Sequence, residues 1–215
     1  MKVEWLGHSC FLLETSQGLK IITDPYEPGC FGGTLDYADI NIKADIITVS
    51  HNHADHNYIT AFPSSRVIDK QGSFNVASVG IEGMGTFHDK SNGSQRGRNI
   101  IFIFNINGLK IAHLGDLGDI PPDLKKLENL DVLLIPVGGT FTIDAREASK
   151  LIEAIKPKIV IPMHFKNEKL GFDIDGVDKF TKGKQNVEKL ESSSIEIDKT
   201  SLPQETEIII LSPSR

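Results

Sequence analysis

Three of the seven histidines of this chain lie in one eight-residue segment, SHNHADHN, at residues 50–57. The segment follows ADIITVS, a run of apolar and β-branched residues that predicts a buried strand. At the end of an extended strand, side chains two residues apart point the same way, so His51 and His53 could bind one ion together. Asp55 and His56 follow where the chain must turn, and they could reach a second ion. Imidazole and carboxylate suit zinc, iron or manganese, and we therefore predict a metal site.

One loop cannot enclose two ions, so further ligands must come from elsewhere in the chain. The remaining candidates are His88, His113, Asp116 and His164. Asp116 and His164 each follow an apolar strand run, in IAHLGD and IVIPMH, as the first cluster does. Loops that follow strands are common places for binding residues. The pattern predicts that these distant residues meet at one edge of a sheet.

The remaining sequence predicts one α/β unit without repeats or linkers. Apolar runs predict strands in KVEWLGHS, CFLLET, GLKIITDP, DVLLIPVGG, KIVIPMH, SIEID and EIIILS. Asn107 and Gly108 predict a hairpin, since Asn-Gly favours a tight turn between strands. Asp144 and Glu147 have capping-box spacing at the start of an amphipathic helix that Pro157 ends. Two more helices are predicted, in PPDLKKLENL and in VDKFTKGKQNVEKLES, and residues 25–41 predict a long loop.

Composition limits the class of protein. A chain of 215 residues can bury a substantial core, and we expect a single domain over residues 1–215. The net charge of −6 and the lack of a basic run disfavour nucleic acid, which is recognised by basic surfaces. The N-terminus does not resemble a signal peptide, and no run approaches the roughly 20 apolar residues of a membrane-spanning helix. Two cysteines are too few for a disulfide framework. We expect a cytoplasmic protein whose partner is a small molecule, with neither nucleic acid nor membrane.

The HxHxDH motif at residues 51–56 and the ordered candidates after it resemble the metallo-β-lactamase superfamily; those candidates are His88, Asp116 and His164. The match extends over almost the whole chain. The segments WLGHSCFLLE, HLGDLGD and IPVGGTFTID resemble a branch of small Zn-dependent hydrolases, which includes ascorbate-phosphate lactonases and phospholipase-D-like phosphodiesterases. The resemblance implies a four-layer αββα sandwich, of mixed α/β class, with a dinuclear metal site at one edge.

The resemblance also implies how the ligands are shared between two ions. The first ion would be held by His51, His53 and His88, the second by Asp55, His56 and His164, and both by a bridging Asp116. The ions would be divalent transition metals, zinc before manganese or iron. They would hold a bridging hydroxide that attacks a small ester, lactone or phosphodiester. Asp55 would lie close enough to orient that hydroxide or to accept its proton.

Three questions of residue role stay open at this point: the third histidine on the first ion, His8 and Arg96. His88 and His113 compete for the third histidine position on the first ion. We favour His88 because its distance before the Gly-Asp step is typical of the family, whereas His113 lies in a strand and would support a ligand. His8 could point into the cavity as a proton donor or substrate contact, or could be structural. Arg96, in the loop NGSQRGRN, could hold a phosphate or carboxylate of the substrate, or be a surface arginine.

Two other functions remain open, a nuclease of the same superfamily and a non-catalytic relative that binds metal or ligand. The nuclease is disfavoured because only 47 residues separate Asp116 from His164, too few for the inserted domain of RNA-cleaving members. A di-iron oxygen-reducing relative would carry an acid in place of His53. The full set of candidate ligands disfavours a relative without turnover. We therefore expect a metal-dependent hydrolase.

Overall fold

The computed structural model describes residues 1–215 and contains two β-sheets. Its strands are β1 (Lys2–Gly7), β2 (Cys10–Glu14), β3 (Lys20–Thr23), β4 (Ile46–Thr48), β5 (Arg66–Ile68), β6 (Gly72–Val76), β7 (Val79–Phe87), β8 (Arg98–Ile106), β9 (Leu109–His113), β10 (Val132–Pro136), β11 (Ile159–Met163), β12 (Val187–Lys189), β13 (Ser194–Glu196) and β14 (Glu207–Ile210). The helices are α1 (Ala145–Ile155) and α2 (Val177–Thr181). Single helical turns occur at Cys30–Gly33, Ile59–Ala61, Lys125–Leu127 and Lys199–Ser201.

The first sheet has the strand order β13-β1-β2-β3-β4-β5, and the second has the order β12-β14-β11-β10-β9-β8-β7-β6. Strands near the C-terminus join both sheets, since β13 pairs with β1 and β14 pairs with β11. The mixed α/β class predicted from the sequence is thus observed. The single domain over residues 1–215 stays a prediction. None of the helices combines the length and the apolar character that crossing a membrane requires.

The main hydrophobic core lies between the two sheets and extends under α1. Alternate residues of the first sheet, such as Trp5 and Phe11, join this core with Phe102 and Phe104 of the second sheet. Helix α1 adds its apolar stripe, which includes Leu151. Full burial of a side chain of this size contributes roughly 1.5–3 kcal/mol. The two sheets are therefore held face to face, and their edges have fixed relative positions.

The outer face of the first sheet is covered by loops. Leu12 and Ile22 on this face pack in a second cluster with Tyr26, Leu35 and Tyr37 from the loop over residues 25–41. The glycines and prolines of that loop disfavour a long helix. This outer layer is consequently irregular, and its loop reaches the edge where the candidate metal residues lie.

Local sequence signals predicted most elements correctly. The strands predicted from apolar runs are present, and Asn107 and Gly108 form the hairpin turn between β8 and β9 with φ of 52° and 77°. The capping box is present, because the Asp144 side chain accepts from the Glu147 backbone and the Glu147 side chain accepts from the Asp144 backbone. The hairpin of β6 and β7 has no counterpart among the predictions, because glycines interrupt the apolar period of β7.

Two predicted helices are wrong in whole or in part. PPDLKKLENL contains only the turn Lys125–Leu127, because the chain after Asn129 (φ 56°) must enter β10. Just before that strand, the Asp131 carboxylate accepts from the Lys110 backbone N–H. The segment VDKFTKGKQNVEKLES is helical only in α2, which ends before Gly183 (φ 76°). Its second half supplies β12, which pairs with β14.

Strand direction explains why the candidate residues meet. In the first sheet β1, β3 and β4 run the same way, because β2 is antiparallel to both β1 and β3 while β4 is parallel to β3. In the second sheet β7, β9, β10 and β11 also share one direction. The residues that follow the carboxyl ends of these strands come together at one edge: His8, Asp24, His51, His88, Asp116 and His164.

Candidate metal centre

The carboxylate of Asp116 lies at the centre of the site. Its Oδ2 is 3.2 Å from Nε2 of His56, 3.3 Å from that of His164, 3.4 Å from that of His88 and 3.9 Å from that of His51. An ordinary N–H···O bond is shorter, about 2.9 Å. Tetrahedral ligands that are 2.0–2.1 Å from one ion lie roughly 3.3–3.4 Å apart. The spacing around Asp116 is therefore that of atoms which could share metal ions.

The candidate ligands form two groups on either side of Asp116. His51, His53 and His88 make one group, and Asp55, His56 and His164 make the other together with His8. Within each group the ligand atoms lie within 4.8 Å of one another. All of these side chains are buried except His53, which is exposed. The structure brings together every residue predicted as a ligand, although their coordination of metal stays a prediction.

His113 occupies a different place from His88. It is buried outside both groups, and its Nε2 donates to the Ser9 carbonyl at 2.7 Å. Its Nδ1 accepts from the Gly115 N–H at 3.3 Å. Gly115 directly precedes Asp116, so His113 holds the turn that presents the central carboxylate. A supporting role for His113 and metal coordination by His88 stay predictions.

Several buried polar atoms of the site have no hydrogen-bond partner within the protein. They are Nε2 of His51 and His56, Nδ1 of His8, His88 and His164, and Oδ1 of Asp55 and Asp116. Most buried polar atoms in folded proteins are paired, and one left unpaired costs about 1–3 kcal/mol. A cluster of imidazole nitrogens and carboxylate oxygens in this state suits divalent transition metals. The residues present therefore fit the metals that the sequence predicts.

The electrostatics of the site favour the ligating protonation states of His51 and Asp116. Burial, with the nearby His56, lowers the pKa of His51 to about 3, so that its ring is neutral near pH 7. Burial acts to raise the pKa of Asp116, but His164 and His56 outweigh it and lower that pKa well below its usual range. Neutral imidazole and ionised carboxylate are the forms that bind metal. His56 differs, because burial acts to lower its pKa but the carboxylates of Asp116 and Asp55 outweigh burial and raise that pKa well above its usual value.

Asp24 orients the site from behind and was not among the sequence predictions. Its Oδ2 accepts from Nδ1 of His56 at 2.9 Å and from Oγ of Ser50 at 2.6 Å, and its Oδ1 accepts from the Ser50 N–H at 2.7 Å. Because Nδ1 of His56 carries the hydrogen, Nε2 is left free to face Asp116. Asp24 directly follows the apolar run GLKIIT, and this signal could have identified it.

Ser50 links Asp24 to His51, a member of the other ligand group. Its hydroxyl donates to Asp24, so the Ser50 oxygen is free to accept from Nδ1 of His51, 2.9 Å away. This leaves Nε2 of His51 unprotonated toward the centre. One buried carboxylate thus sets the tautomers of two candidate ligands.

Close backbone approaches hold the loops around the site. Asn99 accepts from the Asp116 N–H at 3.0 Å through Oδ1, which fixes the turn of that residue. No sequence signal marks Asn99. At Gly118 an added Cβ would lie 2.2 Å from the His88 carbonyl carbon, so only glycine fits there. Gly118 therefore allows the chain after Asp116 to pack against His88.

His8 lies behind Asp55 and does not line the cavity over the candidate metal residues. Its Nε2 is 3.1 Å from Oδ2 of Asp55, and its ring packs 4.3 Å from that of His164. Burial, with a contribution from His164, lowers the pKa of His8 to about 4. A neutral His8 donates its Nε2–H to Asp55. The geometry gives His8 a contact with a candidate ligand and gives no support to direct contact with substrate.

A cavity of about 350 Å³ opens over the site. It is lined by His53, Asp55, His88, Arg96, Asp116 and His164, together with Phe31, Phe141 and Phe172. The Arg96 guanidinium lies 5.3 Å from the centre of the Phe141 ring. Its loop is shaped by Asp89, whose carboxylate accepts four backbone N–H groups that lower its pKa to about 2. Arg96 is therefore positioned beside the site, while its contact with substrate stays a prediction.

Comparisons with known proteins agree with this geometry. Residues 2–164 match the family model of the beta-lactamase superfamily domain. A UPF0173 metal-dependent hydrolase of Carboxydothermus hydrogenoformans is 31% identical over 195 residues, covering 77% of this chain and 84% of the relative. A second UPF0173 metal-dependent hydrolase, from Methanosarcina barkeri, is 32% identical over 200 residues, covering 77% of this chain and 83% of the relative. A crystal structure of a candidate Zn-dependent hydrolase of the metallo-β-lactamase superfamily from Thermotoga maritima has a TM-score of 0.79 and 36% identity, covering 98% of this chain and 97% of that one. The similarity confirms the predicted fold class.

Proposed function

This chain belongs to the metallo-β-lactamase superfamily and is a metal-dependent hydrolase, and from that premise we propose that it cleaves a small ester, lactone or phosphodiester. The observation that carries the proposal is the Asp116 carboxylate, with four histidine Nε2 atoms 3.2–3.9 Å from one of its oxygens. A single tetrahedral ion uses four ligands, and the seven candidates exceed that number. We therefore assign two ions to the site.

The two groups of side chains define the proposed ligand sets. His51, His53 and His88 would hold one ion, Asp55, His56 and His164 would hold the other, and Asp116 would bridge them. Zinc is the first candidate, with manganese and iron as alternatives, because imidazole and carboxylate accept all three. When bound, the ions would supply a nucleophilic hydroxide near neutral pH and polarise the carbonyl or phosphoryl oxygen of the substrate.

The protein's own contribution to the reaction begins with Asp55. Its Oδ1 has no partner within the protein, while Oδ2 lies 3.1 Å from Nε2 of His8. The bond from His8 fixes the carboxylate plane, so that the other oxygen can orient the attacking water or accept its proton. In this proposal Asp55 is a catalytic residue and His8 is a positioning residue that acts through it.

Arg96 is the proposed contact for an anionic group of the substrate. It lines the cavity beside His53, and no acidic side chain lies within salt-bridge distance of its guanidinium. A guanidinium without an acidic partner can bind a phosphate or carboxylate through two N–H groups. The net charge of −6 disfavours nucleic acid, so the anionic group in this proposal belongs to a small substrate held locally by Arg96.

The test is hydrolysis of a substrate panel by chelated and by zinc- or manganese-loaded protein. The panel contains neutral and anionic esters, a lactone, a phosphodiester and a structured RNA. We expect metal-dependent turnover of at least one small substrate, and Arg96→Ala should raise KM for an anionic substrate more than for a neutral one. Arg66→Ala, which removes an exposed arginine on β5 that lines neither the cavity nor its neighbouring groove, is the control. Turnover of RNA alone would replace the proposal with the nuclease, and metal binding without any turnover would favour the non-catalytic relative.

A further inference from the structure

Three phenylalanines from separate segments meet over the candidate metal residues. Phe31 lies in the loop over residues 25–41, Phe141 follows β10 and Phe172 follows β11. The ring centroids of Phe31 and Phe172 are 5.7 Å apart, and those of Phe141 and Phe172 are 5.5 Å apart. The rings are inclined to each other by 53° and 68°, so they present both edges and faces to the space between them. This set of three residues is called the aromatic wall below.

Phe31 has an unfavourable position for a structural residue. Among the large hydrophobic side chains Phe31 alone is exposed, with 53% of its surface accessible to solvent. Its φ of 53° is left-handed, a conformation that strains a bulky residue. Strain and apolar exposure both cost free energy, and strained residues cluster at ligand sites. The position of Phe31 therefore indicates a binding role.

The aromatic wall belongs to the same cavity as the candidate metal residues. Phe31, Phe141 and Phe172 line this cavity together with candidate ligands that include His53, Asp116 and His164. A dry cavity on the order of 150 Å³ holds benzene, and this cavity has about 350 Å³. There is room for one aromatic ring against the wall and for a scissile group above the metal residues.

Cationic side chains line a neighbouring groove that shares Arg96 with the aromatic cavity. A groove of about 730 Å³ starts at His53 and includes Lys70, Arg96 and Arg98, none of which forms a salt bridge. Asp69 is the acidic residue of this groove. Arg96 and His53 line both the groove and the aromatic cavity. A ligand that spans the two would have an aromatic part in the cavity and an anionic part that reaches Arg96 or the groove.

Resting on the proposed hydrolase function, we infer that the aromatic wall is a subsite for an aromatic ring of the substrate. The substrate class is then an aryl-bearing ester, lactone or phosphodiester with an anionic group that reaches Arg96. Edge-to-face packing against the inclined rings favours a planar ring over an alkyl chain of similar size.

The test compares two ligands of equal charge that need no turnover. Binding of benzylphosphonate and of methylphosphonate to the zinc-loaded protein is measured by calorimetry. We expect benzylphosphonate to bind roughly 10- to 100-fold more tightly, as burial of one ring provides. Phe31→Leu should reduce that preference by roughly 2- to 12-fold, the range expected for loss of an aromatic pair, and leave methylphosphonate binding unchanged. Phe74→Leu, a half-buried phenylalanine on the distant strand β6, is the matched control.

Equal affinities of the two phosphonates would overturn the subsite, and so would a preference that survives both Phe31→Leu and Phe172→Leu. Failure of the subsite and failure of the hydrolase proposal are distinguishable. Selective binding of benzylphosphonate by a protein without turnover would leave the subsite standing and remove the activity. Turnover of alkyl and aryl esters with equal kcat/KM would support the hydrolase activity and remove the aromatic subsite.

Discussion

The two groups of candidate ligands differ in how firmly the protein holds them. Asp55, His56 and His164, the inner group, are all buried, and two of them are bonded to a second side chain. The rim group consists of His51, His53 and His88. It includes the exposed His53 and has only Ser50 as an outer partner, through His51.

This difference between the two groups should affect how tightly each one binds a metal ion. A ligand fixed by an outer partner loses little freedom when it binds an ion, whereas an exposed side chain must first be ordered. We therefore expect an ion in the inner group to be held more tightly than one in the rim group. Competition with a chelator should remove metal in two steps, and removal in one step would contradict the comparison.

The largest effect should come from the residue that both groups share. Asp116→Ala removes the carboxylate between them, and we expect fewer than two ions per chain and an activity loss above about 100-fold, the upper range for loss of an outer partner alone. Elemental analysis and kcat/KM measure these. Asp119→Ala, an exposed aspartate in the next Gly-Asp step, is the control. Two tightly bound ions in Asp116→Ala would show that the carboxylate does not bridge.

His88→Ala should act on the rim group alone. We expect it to lower metal content from two ions to one, because it deletes a proposed ligand. His113→Ala should keep both ions and lose roughly 10- to 100-fold in affinity, since it only releases the turn before Asp116. Titration with zinc distinguishes the two variants. If His113→Ala lost an ion while His88→Ala kept both, the choice of His88 would be wrong.

Asp24→Asn should weaken the inner group more than the rim group. The amide cannot accept from all three donors around it, so His56 loses its fixed tautomer. We expect inner-ion affinity to fall by roughly 10- to 100-fold. Metal competition measures this against Asp36→Asn, an exposed change. Unchanged affinity would mean that Asp24 only stabilises the fold.

Ser50→Ala should have the smallest effect and should act on the rim group. It removes the hydroxyl between Asp24 and His51, which is a neutral partner for the histidine. A hydrogen bond worth about 0.5–1.5 kcal/mol corresponds to a loss of roughly 2- to 12-fold in affinity for the rim ion. A larger loss at the inner group than at the rim would reverse the assignment of Ser50.

Many of the elements could be predicted because their causes are local. The capping box of Asp144 and Glu147 involves groups three residues apart, and the Asn107–Gly108 turn depends on two residues that tolerate positive φ. The predicted helix before β10 failed because its residues also had to enter a strand, and propensity does not include that requirement. The HxHxDH motif could be recognised from the sequence for the same reason, because its four side chains lie close together in one loop.

The sequence by itself determined which residues are available at strand ends: the cluster at residues 51–56, and later His88, Asp116 and His164. Only the tertiary structure decided what surrounds them. Asp24 is an ordinary aspartate after a strand until the parallel pairing of β3 and β4 brings it against His56. The aromatic wall likewise combines three loops distant in sequence. Such contacts arise from the direction and packing of whole strands, and no local pattern of residues encodes them.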